Sequence, residues 1–487
     1  MLINKSIGVS PTEKLLARLC DNTFLSVWSY PNPFKADGKE VCDVIAVFEN
    51  HVFLFFDRES KKFEDSEKDL NVQWERWQKD VIYAQIKTAV GAKRYIQERP
   101  KELYLDAKET IPFPIRIPTE NVIIHSIIIG HGASEACKKD SANNVSGSLA
   151  VCYVSPGTEI PKVPFFVKLS NSDPVHVLDT SNLEIVLKEL DTVADFTNYL
   201  SAKEQIIKKF NSVFYIGEED LLAHYLANYN KITGRYEIDK TSQDTEIVFI
   251  KEGQWIRFST SKEYKWKCEA NSVSVFWDRM LKKSGQNTLE GRMFGNKQMY
   301  ERDNPLMEMA AEPRISRRTL SEGFTRAMKA FVPADQGTAR RITVVPSFYT
   351  GKIYVLLQIY SPDKDFEGEH RSERFELLEI ACGVVKNKYP HLNKVIGIAM
   401  TPSQESKDQV NDYILINCSQ WPEETFKYYE DLNKICNFLE TKDTTKSYLS
   451  GKEFPVTKEF FKPSKIGRNE PCPCKSGSKF KNCCMNK

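Results

Sequence analysis

The chain alternates between short, strongly apolar runs and amphipathic stretches, and the spacing of its apolar positions predicts most of its elements. Near the start, Ser10-Pro11-Thr12-Glu13 reads as a helix N-terminus, with Ser10 as cap, Pro11 in the first turn and Glu13 closing a capping box. That helix is expected to run to about Cys20. FLSVWSY predicts a short strand that stops at Pro31. Two strongly apolar strands follow, EVCDVIAVF and HVFLFFD, joined around Glu49-Asn50. From Asp69 to about Glu98 the period becomes helical, with Trp74, Trp77, Val81, Ala89, Ala92 and Ile96 on one stripe. Pro100 ends this helix, and ELYLD predicts another strand. The predicted order is α-β-β-β-α-β.

Further along, VIIHSIIIG reads as a buried strand and SEACKKDSANNVSG as a polar surface loop. SLAVCYV, FFVKL and VHVLD predict strands; Asn182 to Asp191, Asp195 to Phe210 and Glu218 to Tyr229 predict helices. From Asp278 to Phe331 the chain is helical and basic, with Arg314, Arg317, Arg318 and Arg326, and Arg340 and Arg341 beyond. A solvated helix face is the expected meaning of such spacing, with phosphate contacts as the alternative. TVVPSF, IYVLLQIYS and KVIGIAM, interleaved with a helix around Arg374 to Lys388, predict a small α/β domain. The expected class is therefore mixed α/β and multidomain. Residues 1–170 form the first domain, 171–330 a mixed, mainly helical one, and 331–440 the small α/β domain. Residues 441–465 read as a linker and 466–487 as a separate terminal segment.

Composition narrows the class without naming a function. With 41% hydrophobic and 28% charged residues the chain is neither disordered nor a disulfide scaffold. The 68 basic and 66 acidic residues leave a charge of +2, which argues neither for nor against a nucleic-acid partner. The N-terminus lacks the apolar core of a signal peptide, and no apolar run approaches the roughly 18 residues of a membrane span. A cytoplasmic protein without a membrane partner is expected. Of the 12 cysteines, eight are scattered singly, mostly in apolar stretches, and read as small core hydrophobes.

The other four, Cys472, Cys474, Cys483 and Cys484, crowd into the end of the chain as CxC-x8-CC. Four thiolates so close together suit one tetrahedral zinc ion, and in a reducing compartment zinc is favoured over a pair of disulfides. Gly477 lets the loop between them turn, and Lys475, Lys479 and Lys481 offset the excess negative charge. A segment this small has almost no core, so the metal must supply most of its folding energy. From about Gly467 to Cys484 the tail resembles the SEC-C motif of the translocase ATPase SecA. That resemblance implies a docking element for a protein partner, such as the chaperone SecB, or for the ribosome. The chain has no GxxxxGK[ST] phosphate loop, so nothing extends the likeness to an ATPase.

Near the N-terminus, Asp43 falls within an apolar strand, where a carboxylate must be paired, hydrogen-bonded or bound to metal. Gln85 interrupts the apolar stripe of the long helix. Asp57, Glu59 and Lys61 alternate, so all three face one way. A three-residue loop, Glu49-Asn50-His51, pairs residue 43 with 57 and gathers Asp43, Asp57, Glu59 and Lys61 on one face; a two-residue loop breaks that arrangement. His125, His131 and His176 lack HxH or HExxH spacing and are expected to be core or surface histidines.

The order of elements and these residues resemble the PD-(D/E)xK nuclease superfamily, whose core is αβββαβ. The segments GKEVCDVIAVFENHVFLFFD and WERWQKDVIYAQIKTAVGAKRYI are also similar to bacterial proteins that join such a core to a SEC-C tail. The resemblance implies Mg²⁺ or Mn²⁺ held by Asp43 and Glu59, Lys61 orienting the attacking water, and Gln85 in support. Glu13 and Glu40 are further candidates for the metal shell. Cys42 stands where the family has Pro. An alternative register reads Asp57-Arg58, which puts an arginine, unable to act as a base, near the lysine position. The expected function is a metal-dependent nuclease acting on DNA or RNA, with a zinc docking tail. The alternative is a non-enzymatic adaptor that binds a chaperone or ribosome through that tail. A Ser or Cys hydrolase has no GxSxG elbow or cysteine signature behind it.

Overall fold

Helix α1 (Pro11–Thr23) begins where the capping residues predict. Ser10 Oγ accepts the Glu13 N–H at 3.1 Å, and Glu13 reaches back to the N–H of Val9 at 2.7 Å, one residue before the cap. The computed structural model describes residues 5–64, 68–141, 146–230, 233–238, 246–291, 304–401, 411–440 and 453. The four tail cysteines, and with them the expected zinc site, lie outside the described residues, as does the expected linker apart from Glu453.

FLSVWSY is only partly a strand. Leu25–Trp28 make one helical turn and Ser29–Pro31 form β1. Phe24, Leu25, Val27 and Trp28 are all buried, and a run covered on every side carries no period to separate strand from helix. Strands β2 (Val44–Phe48) and β3 (His51–Glu59) form the expected hairpin. Its turn is the two residues Glu49-Asn50, with Glu49 at φ 53° in the left-handed region that such tight turns use. Val44 therefore opposes Phe55 and Phe48 opposes His51, so the expected pairing of residue 43 with 57 does not hold.

The long helix is two helices, α2 (Leu70–Trp77) and α3 (Ala84–Glu98), joined through a wider π turn at Gln78–Tyr83. Every residue of the predicted stripe is buried. The strand that completes the crossover is not ELYLD but β4 (Ile123–His131), parallel to β3. Only Leu103–Tyr104 of ELYLD is extended, pairing with Phe34–Lys35 away from the main sheet. A parallel strand buried on both faces needs a continuous apolar run, which the Ile-rich β4 supplies and the charge-interrupted ELYLD does not. Gly130 of β4 sits against the crossover helix, where a Cβ would stand 3.0 Å from Trp77 and 3.1 Å from Val81.

Strands β5 (Ala150–Val154) and β6 (Phe166–Ser170) leave this sheet, and β7 (His176–Asp179) returns to it parallel to β4. The main sheet is thus ordered β1-β2-β3-β4-β7. After α4 (Val193–Lys209) come β8 (Ser212–Ile216), α5 (Glu218–Ala227) and β9 (Ile247–Ile250), which make a second sheet ordered β9-β8-β5-β6. Helices α6 (Val275–Leu289) and α7 (Arg314–Lys329) follow. A third sheet holds β10 (Ala339–Pro346), β11 (Lys352–Tyr360), β12 (Lys394–Met400) and β13 (Asp412–Asn417), in that order. Helix α8 (Arg371–Lys388) makes its parallel crossover, and α9 (Glu423–Cys436) packs on α8. One buried cluster extends from Leu16 to Leu415, while a second fills the α8 side of the third sheet.

Three of the four arginines of α7 form neither a solvated face nor a phosphate cradle. Arg314 binds Asp278 at 2.6 Å and Asp191 at 2.7 Å, Arg317 binds Asp278 at 2.9 Å, and Arg318 lies 3.9 Å from Glu453. All three are buried or nearly so, and each guanidinium is paired inside the protein, as burial of a charge requires. Arg326 alone of the four is exposed.

Candidate functional site

Three parallel strands, β3, β4 and β7, bring their carboxyl ends together, and the residues there are the polar ones that apolar runs cannot explain. Asp57 closes the apolar part of β3, His131 is the last residue of β4, and Asp179 is the last of β7. All three are buried. Asp57 Oδ1 pairs with His131 Nε2 at 2.8 Å, and His131 Nδ1 faces the exposed Thr180 Oγ1 at 3.0 Å. The second Asp57 oxygen accepts from the hydroxyl of Thr12, two residues into the capped turn of α1.

Asp43 reaches this group despite the register. It stands in a bend immediately before β2, and its N–H meets the Phe55 carbonyl at 3.0 Å, although Val44 already opposes Phe55. Two residues facing one is the mark of a β-bulge, which re-aims a side chain. The Asp43 carboxylate consequently accepts the Asp57 N–H at 2.6 Å. Burial pushes its pKa up to about 7; the Asp57 N–H opposes the shift, while Glu40, Glu13 and Asp57 add to it by like-charge repulsion. Glu40 is itself raised, first by burial, and accepts from Asn32 Nδ2. Asp43, Glu13 and Glu40, three expected members of one metal shell, therefore share one electrostatic environment.

The other expected residues lie further out. Glu59, at the end of β3, and Lys61, just beyond it, are both exposed. Glu59 falls on the same side as Asp57 by strand alternation. Arg58 is exposed as well. Gln85 is half-buried on α3, and among the described residues no hydrogen bond joins it to Asp43 or Asp57. His131 was not separable from the other histidines by spacing. Its signal was position alone: a histidine closing a strand of isoleucines.

Beside this group lies a buried acidic pair. Asp179 accepts the backbone N–H groups of Leu149 at 2.7 Å and Ser181 at 2.8 Å, while Glu219 accepts from Ser148 Oγ at 2.6 Å. Burial pushes both carboxyls up, and the charge of Asp179 adds to the shift of Glu219.

A third polar group occupies the opposite end of the same strands. His125 Nδ1 lies 2.7 Å and His176 Nε2 3.2 Å from one oxygen of Glu204, and His51 Nδ1 lies 2.9 Å from His125 Nε2. Burial works to raise Glu204, but its bonds from the two histidines hold it well below the usual carboxylate range. Burial pushes His51 and His176 down to about 4.

Among the described residues no helix is long and apolar enough to cross a membrane. The SEC-C motif family matches residues 468–486. The chain thus carries a SEC-C motif, a zinc-binding motif of SecA. Curated relatives repeat that finding. SecA of Finegoldia magna is 57% identical over 35 residues, 7% of this chain and 4% of that protein. SecA of Cupriavidus pinatubonensis is 29% identical over 120 residues, 25% of this chain and 12% of that protein. SecA of Thermodesulfovibrio yellowstonii is 74% identical over 23 residues, 5% of this chain and 3% of that protein. The chain therefore spans at most about an eighth of the SecA proteins compared. No solved structure matches it.

Proposed function

We propose that the chain is a metal-dependent nucleic-acid phosphodiesterase whose centre lies at Asp43 and Glu59, with Asp57 as a brace beside them, joined to a zinc docking tail. The observation that carries this reading is the bulge that turns Asp43 onto the Asp57 N–H, at the carboxyl end of the parallel pair β3 and β4. A half-buried carboxylate whose acidic neighbours Glu13, Glu40 and Asp57 repel its charge is costly to the fold, and a hard divalent cation relieves that cost. The donor set suits Mg²⁺ or Mn²⁺, which bind through one or two carboxylates together with substrate phosphates and water. Asp43 and Glu59 would hold the ion, with Glu13 and Glu40 in its outer surroundings. When bound, it supplies charge stabilisation and an activated water at the phosphate.

The chain's own residues do the rest. The Asp57 N–H fixes the orientation of Asp43, and Asp57 is in turn held between Thr12 and His131. Lys61, exposed beside Glu59, is suited to meet a substrate phosphate or orient a water, and Gln85 would support from α3. In the tail, the thiolates of Cys472, Cys474, Cys483 and Cys484 form the soft donor set that zinc prefers. The knuckle they form would dock a protein partner.

A second reading, the adaptor, is favoured by the Asp57 carboxylate, both of whose oxygens are already engaged inside the protein. One experiment separates the two. Single- and double-stranded DNA and RNA are offered with Mg²⁺ or Mn²⁺ to wild type and to Asp43→Asn. Metal-dependent cutting lost in the variant supports the phosphodiesterase; no cutting of any substrate by wild type gives the adaptor reading instead.

A further inference from the structure

Asp57 stands six steps along β3 from His51, about 20 Å at the rise of a strand, so the histidine end of the sheet is distinct from the proposed phosphodiesterase centre. We propose that His125, His176 and Glu204 form a second metal site, for a divalent cation of the zinc class, separate from the four cysteines of the tail. Their donors arrive from three elements, β4, β7 and α4, and packing of the helix on the sheet holds them together. Among the described residues this is the one group of three metal-ligating side chains whose donor atoms all lie within 4.8 Å of one another.

The spacing is close to what an ion needs. Donors bound to zinc at about 2.0–2.1 Å in a tetrahedron stand roughly 3.3 Å apart. His176 Nε2 and Glu204 Oε1, at 3.2 Å, are already at that separation. His125 Nδ1 and Glu204 Oε1, at 2.7 Å, must part by about half an ångström, a side-chain adjustment. Two imidazoles and one carboxylate are a borderline donor set, suited to zinc rather than to calcium or magnesium.

The surroundings supply the outer partners such sites use. His125 meets His51 Nδ1 through its second nitrogen at 2.9 Å, the contact that fixes the tautomer of a ligating histidine. With an ion at Nδ1, the His125 proton sits on Nε2 and is donated to His51. Glu204 keeps its other oxygen 3.9 Å from Lys208 Nζ, and its side chain is 16% exposed, so its carboxylate is the edge of the group that meets solvent.

The test uses the full chain with the tail ligands removed, C472S/C474S/C483S/C484S, so that the tail cannot contribute zinc. After equilibration with buffered Zn²⁺, this variant is expected to retain about one zinc per chain and to melt at a higher temperature with the ion than without it. Adding Glu204→Gln, or His176→Gln in a parallel chain, is expected to cut the retained zinc more than tenfold. Co²⁺ in the tail variant should show ligand-field bands without thiolate charge transfer. A tail variant that holds no zinc, with the same melting temperature in its presence and absence, overturns the proposal, and this outcome does not depend on whether the histidine variants fold. Zinc retained undiminished by both Glu204→Gln and His176→Gln overturns it as well. None of these readouts involves cleavage, so the phosphodiesterase reading stands or falls separately.

Discussion

The two ends of the strands β3, β4 and β7 are built on one backbone and balance charge in opposite ways. At the amino end, Glu204 is surrounded by donors: His125 and His176 bind one oxygen and Lys208 stands near the other. Burial raises its pKa, but the two histidines outweigh burial and hold it ionised. At the carboxyl end, Asp43 has one backbone N–H and three acidic neighbours, and burial prevails. Burial is common to both carboxylates; the partners decide its outcome. A site for an added cation is therefore marked at the carboxyl end by uncompensated charge. At the amino end it is marked by donors that converge from three elements.

The largest effect is expected where compensation is most complete. Glu204→Ala leaves two buried histidines without their acceptor and should destabilise the chain by about 3 kcal/mol, read from urea unfolding. Next is Asp57→Ala, which strips partners from His131, Thr12 and the turn of α1. It should cost about 2 kcal/mol and abolish any metal-dependent cleavage. A loss of cleavage without a loss of stability would mean that Asp57 acts on substrate rather than as a brace.

Acid sharpens the contrast, because the two ends respond to it with opposite sign. The folded pKa of Asp43, about 7, exceeds its ordinary 3.8, so its relative contribution is fully present below about pH 4 and is lost as pH rises through 7. His51 and His176, lowered from 6.5 to about 4, contribute stability above 6.5 that is lost as pH falls towards 4. Asp43→Asn should therefore melt above wild type at pH 8 and converge with it near pH 4. The gap should be about 1 °C for each kcal/mol of relieved charge in a chain of 487 residues. Mg²⁺ should raise the melting temperature of wild type at pH 8 and leave Asp43→Asn unchanged; equal shifts in both would remove Asp43 as a ligand. The smallest effect on stability is expected from Glu59→Gln, within about 0.5 kcal/mol because the side chain is exposed. A tenfold or larger fall in cleavage from so mild a change would assign Glu59 to the metal.

Much of this was legible beforehand wherever local chemistry decides. The cap at Ser10, the β2–β3 hairpin, the buried stripe of α2 and α3, and the strand-helix-strand crossover of β11, α8 and β12 follow from spacing of apolar residues and from turn chemistry. The metal-binding motif of the tail is equally local, since four cysteines in one short segment need no distant partner.

What spacing could not decide were matters of pairing between distant segments. Two isoleucine-rich and mixed runs compete to be the strand beside β3, and burial on both faces selects Ile123–His131 over ELYLD. The arginines of α7 look like a surface stripe along the sequence, but Asp191, from another helix connection, and Asp278 turn them inward. Asp43 was recognisable as an expensive residue, yet the bulge that aims it at Asp57 depends on the Phe55 carbonyl across the hairpin. His125, His176 and Glu204 are dozens of residues apart and join only when α4 packs on the sheet. Periodicity and motif spacing are properties of neighbours along the chain, so the sequence by itself determined most of the elements and the SEC-C motif of the tail; which charges meet is set by strand order and helix packing, and only the tertiary structure decided that.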